Sequence, residues 1–111
     1  MTINEYQLEA LRTASGMNQE LPMWLNGALG LAGESGEVVD LVKKHLFHGH
    51  PLDTEHLAKE VGDVAWYVAV TAYGLGYDLE TIFRMNLDKL HRRYPDGFDS
   101  NRSMHREAGD V

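Results

Sequence analysis

Two pairs of acidic side chains have the clearest capacity for chemistry in this sequence: Glu34 with Glu37, and Glu60 with Asp63. Each pair has i, i+3 spacing, which on a helix places two carboxylates about one turn apart on neighbouring faces. Two such pairs on antiparallel helices would form a cluster of about four oxygen donors, the ligand type that suits Mg²⁺ or Mn²⁺. Carboxylates so close repel one another without a cation, so the spacing indicates a divalent metal site.

Four helices are predicted to position these side chains, over residues of about 2–14, 22–47, 53–73 and 79–93. The first begins with a Thr2-Glu5 capping box and ends at Ser15-Gly16. A loop over 17–20 leads to Pro22, which suits the first turn of the second helix. The sequence therefore predicts an all-α, four-helix bundle over 1–95, followed by a polar, loosely attached C-terminal tail over 96–111.

The predicted helix faces make the acidic pairs unusual for surface residues. On the second helix, Asp40 and Lys43 mark the natural solvent arc, and Glu34 and Glu37 fall outside it. The third helix is apolar on nearly every side from 61 to 73, which is typical of a helix that is buried all round. Its acidic pair lies at the start of that apolar stretch. Ionised carboxylates are costly to remove from water unless they are paired or bind a metal.

Composition limits the classes of function. The chain has 111 residues, enough for one domain, and it has no cysteine, which excludes disulfides and thiolate metal sites. It lacks a signal-peptide pattern and any apolar run long enough to cross a bilayer, so a cytoplasmic protein is expected. The formal net charge of −7 argues against general nucleic-acid binding, whereas a small nucleotide bridged by a metal remains possible.

The context of the two pairs resembles a known family. Gly-Leu-Ala-Gly-Glu34-Ser-Gly-Glu37 and the later Lys-Glu60-Val-Gly-Asp63 are similar to the Glu-x-x-Glu … Glu-x-x-Asp signature of the MazG-like all-α nucleotide pyrophosphohydrolases. A downstream segment from Asn86 through Lys89 to Arg-Tyr-Pro-Asp-Gly-Phe98 is similar to the ending of single-domain members. The resemblance covers about residues 23–98, which is most of the chain.

The resemblance implies a four-helix fold completed as a homodimer or homotetramer. It also implies magnesium-dependent hydrolysis of a nucleoside triphosphate, NTP or dNTP, to the monophosphate and pyrophosphate, with Mn²⁺ as a possible substitute. Glu34, Glu37, Glu60 and Asp63 match the family's metal ligands. Glu34 or Glu37 would orient or deprotonate the attacking water, and the sequence does not choose between them.

Several other side chains are candidates for contacts with the substrate: Asn86, Lys89, Arg93, Tyr67, Lys44, Trp24 and Asn26. Asn86, Lys89 and Arg93 form a stripe on the fourth helix that could bind phosphate, although a solvated basic helix end is nearly as good an interpretation. Tyr67 lies one turn after Asp63 and could stack on a base or simply pack in the core. The six histidines are assigned ordinary surface or boundary roles.

Three alternative functions compete with this prediction, and the sequence disfavours one of them, the di-iron bundle. The same fold serves dUTP-type and phosphoribosyl-ATP pyrophosphohydrolases, which change the substrate and keep the carboxylates. A di-iron bundle would need Glu-x-x-His pairs, and neither Glu34 nor Glu60 has a histidine three residues later. A non-catalytic bundle that binds only metal or nucleotide is the third. House-cleaning of nucleotides, control of a dNTP pool and phage metabolism are all compatible biological roles.

Overall fold

The structure is a computed structural model, and it describes residues 1–14 and 20–111. Within these residues the secondary structure is helical, with no strand, and this confirms the predicted all-α class. The helices are α1 (Ile3–Leu11), α2 (Met23–Phe47), α3 (Thr54–Gly74), α4 (Leu79–Arg93) and α5 (Ser100–Met104). The predicted end of the first helix at Ser15-Gly16 and the loop from Met17 to Gln19 lie outside the described residues. None of the described helices has the length and hydropathy needed to span a membrane.

Local chemistry explains where these helices begin and end. Thr2 and Glu5 form the predicted capping box: Glu5 N donates to Thr2 Oγ1 at 3.1 Å, and Thr2 N donates to Glu5 Oε2 at 2.7 Å. Asp53 caps α3 by accepting from the backbone of His56 at 3.0 Å. Gly76 ends the same helix with a φ of 86°, because a Schellman turn requires a left-handed residue after the cap.

The chain divides into two compact units, residues 1–79 and residues 80–111. The core of the first unit is small and consists largely of short side chains, Ala10, Ala14, Ala69, Val70, Ala72 and Leu79. Gln7 is buried beside them with its amide satisfied: Nε2 donates to Ala69 O and Tyr77 O, and Oε1 accepts from Leu79 N. These hydrogen bonds link α1 to α3, to the connection between α3 and α4, and to the first residue of α4.

Helices α2 and α3 pack against each other as an antiparallel hairpin with very close backbones. Gly27 of α2 lies against Thr71, and Gly30 lies against the ring of Tyr67, so that an added Cβ at either glycine would overlap its neighbour. At the other end of the contact, a Cβ at Gly74 would be 2.6 Å from the backbone nitrogen of Trp24. The face of α2 that carries Gly27 and Gly30 is hereafter the glycine seam.

The single chain leaves more of these helices exposed than the sequence analysis predicted. Val61 and Tyr73 of α3 are 54% and 53% exposed, so α3 is not buried all round within one chain. The face of α2 opposite the glycine seam is also largely apolar and open, and we call it the outer stripe. Its exposed residues without charge, at helical spacing, are Leu29, Ala32, Gly36, Val39 and Leu46, and the exposed Lys43 lies between the last two.

The second unit contains secondary structure in the segment that was predicted to be a loosely attached tail. Helix α5 begins at Asp99, whose side chain accepts from the backbone of Asn101 and Arg102. Before it, a turn at 94–97 brings the rings of Tyr94 and Phe98 to a centroid distance of 5.2 Å. The polar composition of 96–111 hid this helix, because its contacts are the Asp99 cap and a hydrogen bond from Arg102 to the backbone of Arg93 rather than an apolar face.

Substitutions at two glycines of α2 test the close packing of the hairpin. Gly27→Ala should lower the free energy of unfolding by about 1–2 kcal/mol, because the new methyl overlaps Thr71 across the seam. Gly33→Ala is the matched control: nothing lies within 4 Å of its added Cβ, and removing glycine from a helix interior should stabilise by about 0.5–1 kcal/mol. Urea denaturation of both variants measures the difference. Equal effects at the two positions would contradict the seam.

Candidate metal centre

The predicted carboxylates lie on the continuation of the glycine seam. Glu34 follows Gly27 and Gly30 on the face of α2 that looks toward α3, seven and four residues further along. Because the hairpin is antiparallel, this turn of α2 faces the first half of α3, where Glu60 and Asp63 are located. At the glycines, a side chain of α3 packs on the backbone of α2; one turn later, the carboxylate of Glu34 lies close to the carboxylates of Glu60 and Asp63.

Three of the four predicted acids form one cluster. Glu34, Glu60 and Asp63 each offer an oxygen, and these three atoms all lie within 4.8 Å of one another. Glu34 and Glu60 are half-buried, whereas Asp63 is exposed. This geometry leaves one side of the cluster open to solvent and to a ligand.

The cluster is electrostatically unfavourable without a cation. The pKa of Glu34 is raised above its usual range, first by its burial and then by the charges of Asp63, Glu60 and Glu37. A hydrogen bond with the Glu60 side chain raises it further. Charges that disfavour an ionised carboxylate are the same charges that attract a divalent cation into the space between them.

Glu37 lies outside the group of three oxygens and is exposed. Its charge still acts on Glu34, and it also contributes to raising the pKa of Lys44. Lys44 itself is bound to Asp40, with Nζ 2.8 Å from Oδ2, and this hydrogen bond is the main cause of its raised pKa. Of the predicted site residues on α2, Glu34 therefore joins the cluster and Glu37 borders it.

Two further residues belong to the site that the sequence analysis did not assign to it. His56 lies one turn before Glu60 on α3, and its Nε2 is 3.0 Å from Glu60 Oε1, a hydrogen bond that the carboxylate accepts. Tyr6 of α1 is half-buried, and its pKa is raised by burial and then by the charge of Asp63. The i, i+4 spacing could have identified His56, but nothing in the sequence links Tyr6 to a residue 57 positions away.

Among the aromatic residues of the first unit, Tyr67 and Trp66 have rings that pack against neighbours, whereas Trp24 is exposed. The ring of Tyr67 covers Gly30 in the seam and lies edge-on to Trp66 at 4.8 Å. Trp66 turns toward α1, where Nε1 donates to Ala10 O at 3.0 Å and to Thr13 Oγ1 at 2.8 Å. Trp24 packs by its backbone against α3 near Gly74, ten residues or about 15 Å of helix before Glu34.

The remaining candidates on α2 and α4 are not gathered around the carboxylates by any described contact. Asn26 is exposed near the start of α2, eight residues before Glu34. In the second unit, Asn86 is exposed and Lys89 is half-buried. Arg93 already has a partner there, because its Nε donates to both carboxylate oxygens of Asp110 at 2.8 Å.

The donor set of the cluster fits a hard divalent cation. All three side chains that could bind the ion are carboxylates, and no histidine or cysteine from the described residues joins them. Helices from one hairpin supply them, so their positions are set by backbone packing rather than by a loop. An all-α domain with carboxylates facing across an antiparallel helix pair defines a class of helical, metal-dependent enzymes and binding proteins.

Comparison with known proteins identifies the family. The model of the MazG nucleotide pyrophosphohydrolase domain matches residues 26–98, about two thirds of the chain, and the protein belongs to this family. This confirms the resemblance inferred from the carboxylate motifs. The matched range includes all four predicted acids and the α4 candidates; α1 and the residues after 98 lie beyond it.

A relative from Mycobacterium phage L5, named Gene 37 protein, is 36% identical over 101 residues. The alignment covers 84% of this chain and 89% of the relative, so the two proteins share nearly their whole length. No solved structure matches the chain.

Neutralising Glu34 tests whether the cluster is strained by its charge. Glu34→Gln keeps the shape of the side chain and removes one of the repelling carboxylates, so the metal-free protein should have a higher melting temperature than the parent. The same variant should lose the further rise that Mg²⁺ or Mn²⁺ gives to the parent. Thermal unfolding followed by circular dichroism, with EDTA and then with each cation, measures both effects.

Glu55→Gln is the matched control, because Glu55 is an exposed carboxylate on the first turn of α3 and pairs with Lys59. This variant should retain the response to the cation. An equal response to the cation in Glu34→Gln and the parent would contradict the metal centre.

Proposed function

We propose that the protein hydrolyses a nucleoside triphosphate, NTP or dNTP, to the monophosphate and pyrophosphate in a reaction that depends on Mg²⁺. The observation that carries this proposal is the cluster of Glu34, Glu60 and Asp63 within a chain of the MazG nucleotide pyrophosphohydrolase family. A cation bound there supplies charge neutralisation for phosphate oxygens and lowers the pKa of a water molecule. A chain of net charge −7 has particular need of that neutralisation to bind a polyanion.

The residues around the cluster have different roles in the proposed reaction. Glu34, Glu60 and Asp63 hold the cation, and His56 keeps the Glu60 carboxylate oriented through its hydrogen bond. Glu37 borders the cluster without joining it, which leaves its carboxylate available to accept a proton from the attacking water. Between the two acids considered as the general base, the geometry therefore favours Glu37 over Glu34.

Asn86 and Lys89 are proposed phosphate-binding residues because of their positions in the family's ending. Arg93 is a third candidate, which that ending supports less; Lys89 and Arg93 carry the positive charge that binds phosphate. Lys44 is a further proposed contact, although its ion pair with Asp40 must open or be shared. The packing of Tyr67 over Gly30 makes it a weaker candidate for stacking on a base, and Trp24 and Asn26 have no described contact that supports such a role.

A panel of nucleotides tests the reaction. Ribo- and deoxyribonucleoside triphosphates, dUTP and phosphoribosyl-ATP are incubated with Mg²⁺, and the monophosphate and pyrophosphate products are quantified. We expect pyrophosphate release from at least one triphosphate. Release from dUTP alone or from phosphoribosyl-ATP alone would establish the narrower substrate class. Nucleotide binding with no hydrolysis of any member would show a non-catalytic binding protein and contradict the proposal.

Two substitutions separate metal binding from catalysis in the same assay. Asp63→Asn should weaken binding of Mn²⁺ and lower the turnover rate by about a hundredfold or more. Glu37→Gln should lower the turnover rate comparably and leave affinity for Mn²⁺ within about threefold of the parent. Glu55→Gln again serves as the control. If Glu37→Gln retains full turnover, the proposed role of Glu37 is wrong.

We also propose that the outer stripe of α2 packs against a second copy of the chain. Val39 and Leu46 are 64% and 63% exposed, and they continue an apolar row that starts at Leu29. Lys43 lies between Val39 and Leu46 and is the one charged residue in this row. An exposed row that is otherwise apolar, on the helix that carries Glu34, is typical of protein interfaces. The homo-oligomer expected from the family resemblance would bury this row.

Val39→Glu should dissociate the assembly, because it puts a charge in the middle of the apolar row. Size-exclusion chromatography with light scattering should give a dimer or tetramer for the parent and a monomer for the variant. Ala58→Glu adds the same charge at an exposed position of α3 and should leave the mass unchanged. A monomeric parent at micromolar concentration would refute the assembly.

A further inference from the structure

The second unit contains a cavity that is unusually rich in basic side chains. It has a volume of about 360 Å³ and lies between the end of α4 and the C-terminal segment. Its basic lining residues are Lys89, Arg92, Arg93, Arg102 and Arg106. These are five of the ten lysines and arginines of the whole chain, whereas acidic residues outnumber basic ones elsewhere in the sequence. Such a concentration of positive charge in an acidic protein attracts anions to one place.

One anion is already present in the cavity, and it belongs to the chain. Asp110 accepts two hydrogen bonds from Arg93 Nε at 2.8 Å, and the two side chains are only 21% and 12% exposed. Arg93 lowers the pKa of Asp110, and the charges of Arg106 and Lys89 lower it further. Asp110 therefore remains ionised in a site that several cations surround.

Asp110 leaves much of the binding capacity of the cavity unused. Its hydrogen bonds engage Nε of Arg93 and not the two Nη groups, which are the other donors of the guanidinium fork. Lys89, Arg92 and Arg106 form no ion pair with any residue in the described part of the chain. Besides Asp110, the one acidic side chain in the lining is Glu107, so the cations remain in excess.

We propose that this cavity is a binding site for a small phosphate polyanion, and that Asp110 is an internal competitor which the ligand displaces from Arg93. An arginine fork binds carboxylate and phosphate alike in a bidentate manner, but linked phosphates offer more acceptor oxygens and more negative charge than a single carboxylate does. A cavity of about 360 Å³ has room for two or three linked phosphates. Inorganic pyrophosphate and the phosphate chain of a nucleotide share this chemistry.

The C-terminal segment supplies three of the charged side chains that line the cavity, Arg102, Arg106 and Asp110. These three residues lie beyond the range 26–98 that matches the family model. Arg102 also braces the site, since its Nη1 donates to the backbone oxygen of Arg93 at 3.3 Å. Displacement of Asp110 would loosen the segment, so occupancy by the anion and release of the C-terminal segment are coupled.

The inference rests on the proposed function in one respect, because Lys89 and Arg93 are also proposed as substrate-binding residues. Binding is therefore measured separately from hydrolysis. Inorganic pyrophosphate is titrated into the full-length protein by isothermal calorimetry in EDTA, so that no divalent cation can bridge it to the carboxylates of the first unit. If pyrophosphate does not bind in this titration, the result of the hydrolysis assay still stands. If no nucleotide is hydrolysed, the result of the titration still stands.

We expect the parent to bind pyrophosphate with a millimolar or tighter Kd. Asp110→Asn should tighten binding by about three- to tenfold, because it replaces a charged competitor with a neutral and weaker one. Arg106→Gln should weaken binding at least about threefold. Arg84→Gln is the matched control: it removes the same charge from α4, where Arg84 is exposed, pairs with Glu80 and lies outside the cavity.

No binding by the parent, or binding by Asp110→Asn that is no tighter than the parent's, would overturn the inference. Circular dichroism establishes that each variant is folded. If Asp110→Asn does not fold, the comparison of Arg106→Gln with Arg84→Gln decides the question: equal affinities overturn the site, and selective weakening in Arg106→Gln supports it. Parallel titrations with orthophosphate and a non-hydrolysable triphosphate show whether a free anion or a nucleotide is the preferred source of the phosphates.

Discussion

The close approach of α2 and α3 is the constraint on which the rest of the first unit depends. Gly27 and Gly30 have no side chains, so Thr71 and Tyr67 can reach the backbone of α2, and the two helices lie closer than larger residues would allow. This contact sets both the register and the rotation of the hairpin. Glu34 lies on the same face one turn later, so packing at the glycines determines what its carboxylate faces.

The cluster of Glu34, Glu60 and Asp63 lowers local electrostatic stability. Burial and the charges of Asp63, Glu60 and Glu37 all disfavour ionised Glu34, and among the described residues no lysine or arginine forms an ion pair with the cluster. The hairpin tolerates this repulsion because the seam and the core around Ala69 and Val70 hold the backbone in place. An apolar or paired substitute would be more stable and would have no affinity for a cation.

Charge is arranged differently in the two units. The first concentrates carboxylates on the hairpin, and the second concentrates five basic side chains around one cavity, where Asp110 is held by Arg93. The exposed outer stripe of α2 is a third surface, and it is the one that we propose a second copy of the chain covers.

The sequence by itself determined the helices and singled out the acids that we propose as metal ligands. Capping signals such as Thr2 with Glu5, and the end of α3 at Gly74 to Gly76, depend on neighbours within a few residues, so they could be predicted from local patterns. The i, i+3 pairs also depend on a single helix. The all-α class followed from these local signals, and so did the expectation of a divalent metal.

Only the tertiary structure decided which of those residues meet. It separated Glu37 from the other three acids and brought Tyr6 close enough for Asp63 to raise its pKa. It also placed Asp110, 17 residues further along the chain, within hydrogen-bond distance of Arg93. Each of these results depends on the relative rotation and spacing of elements distant in sequence, which no local pattern encodes. In the first unit the packing of glycines and short core side chains sets that rotation and spacing.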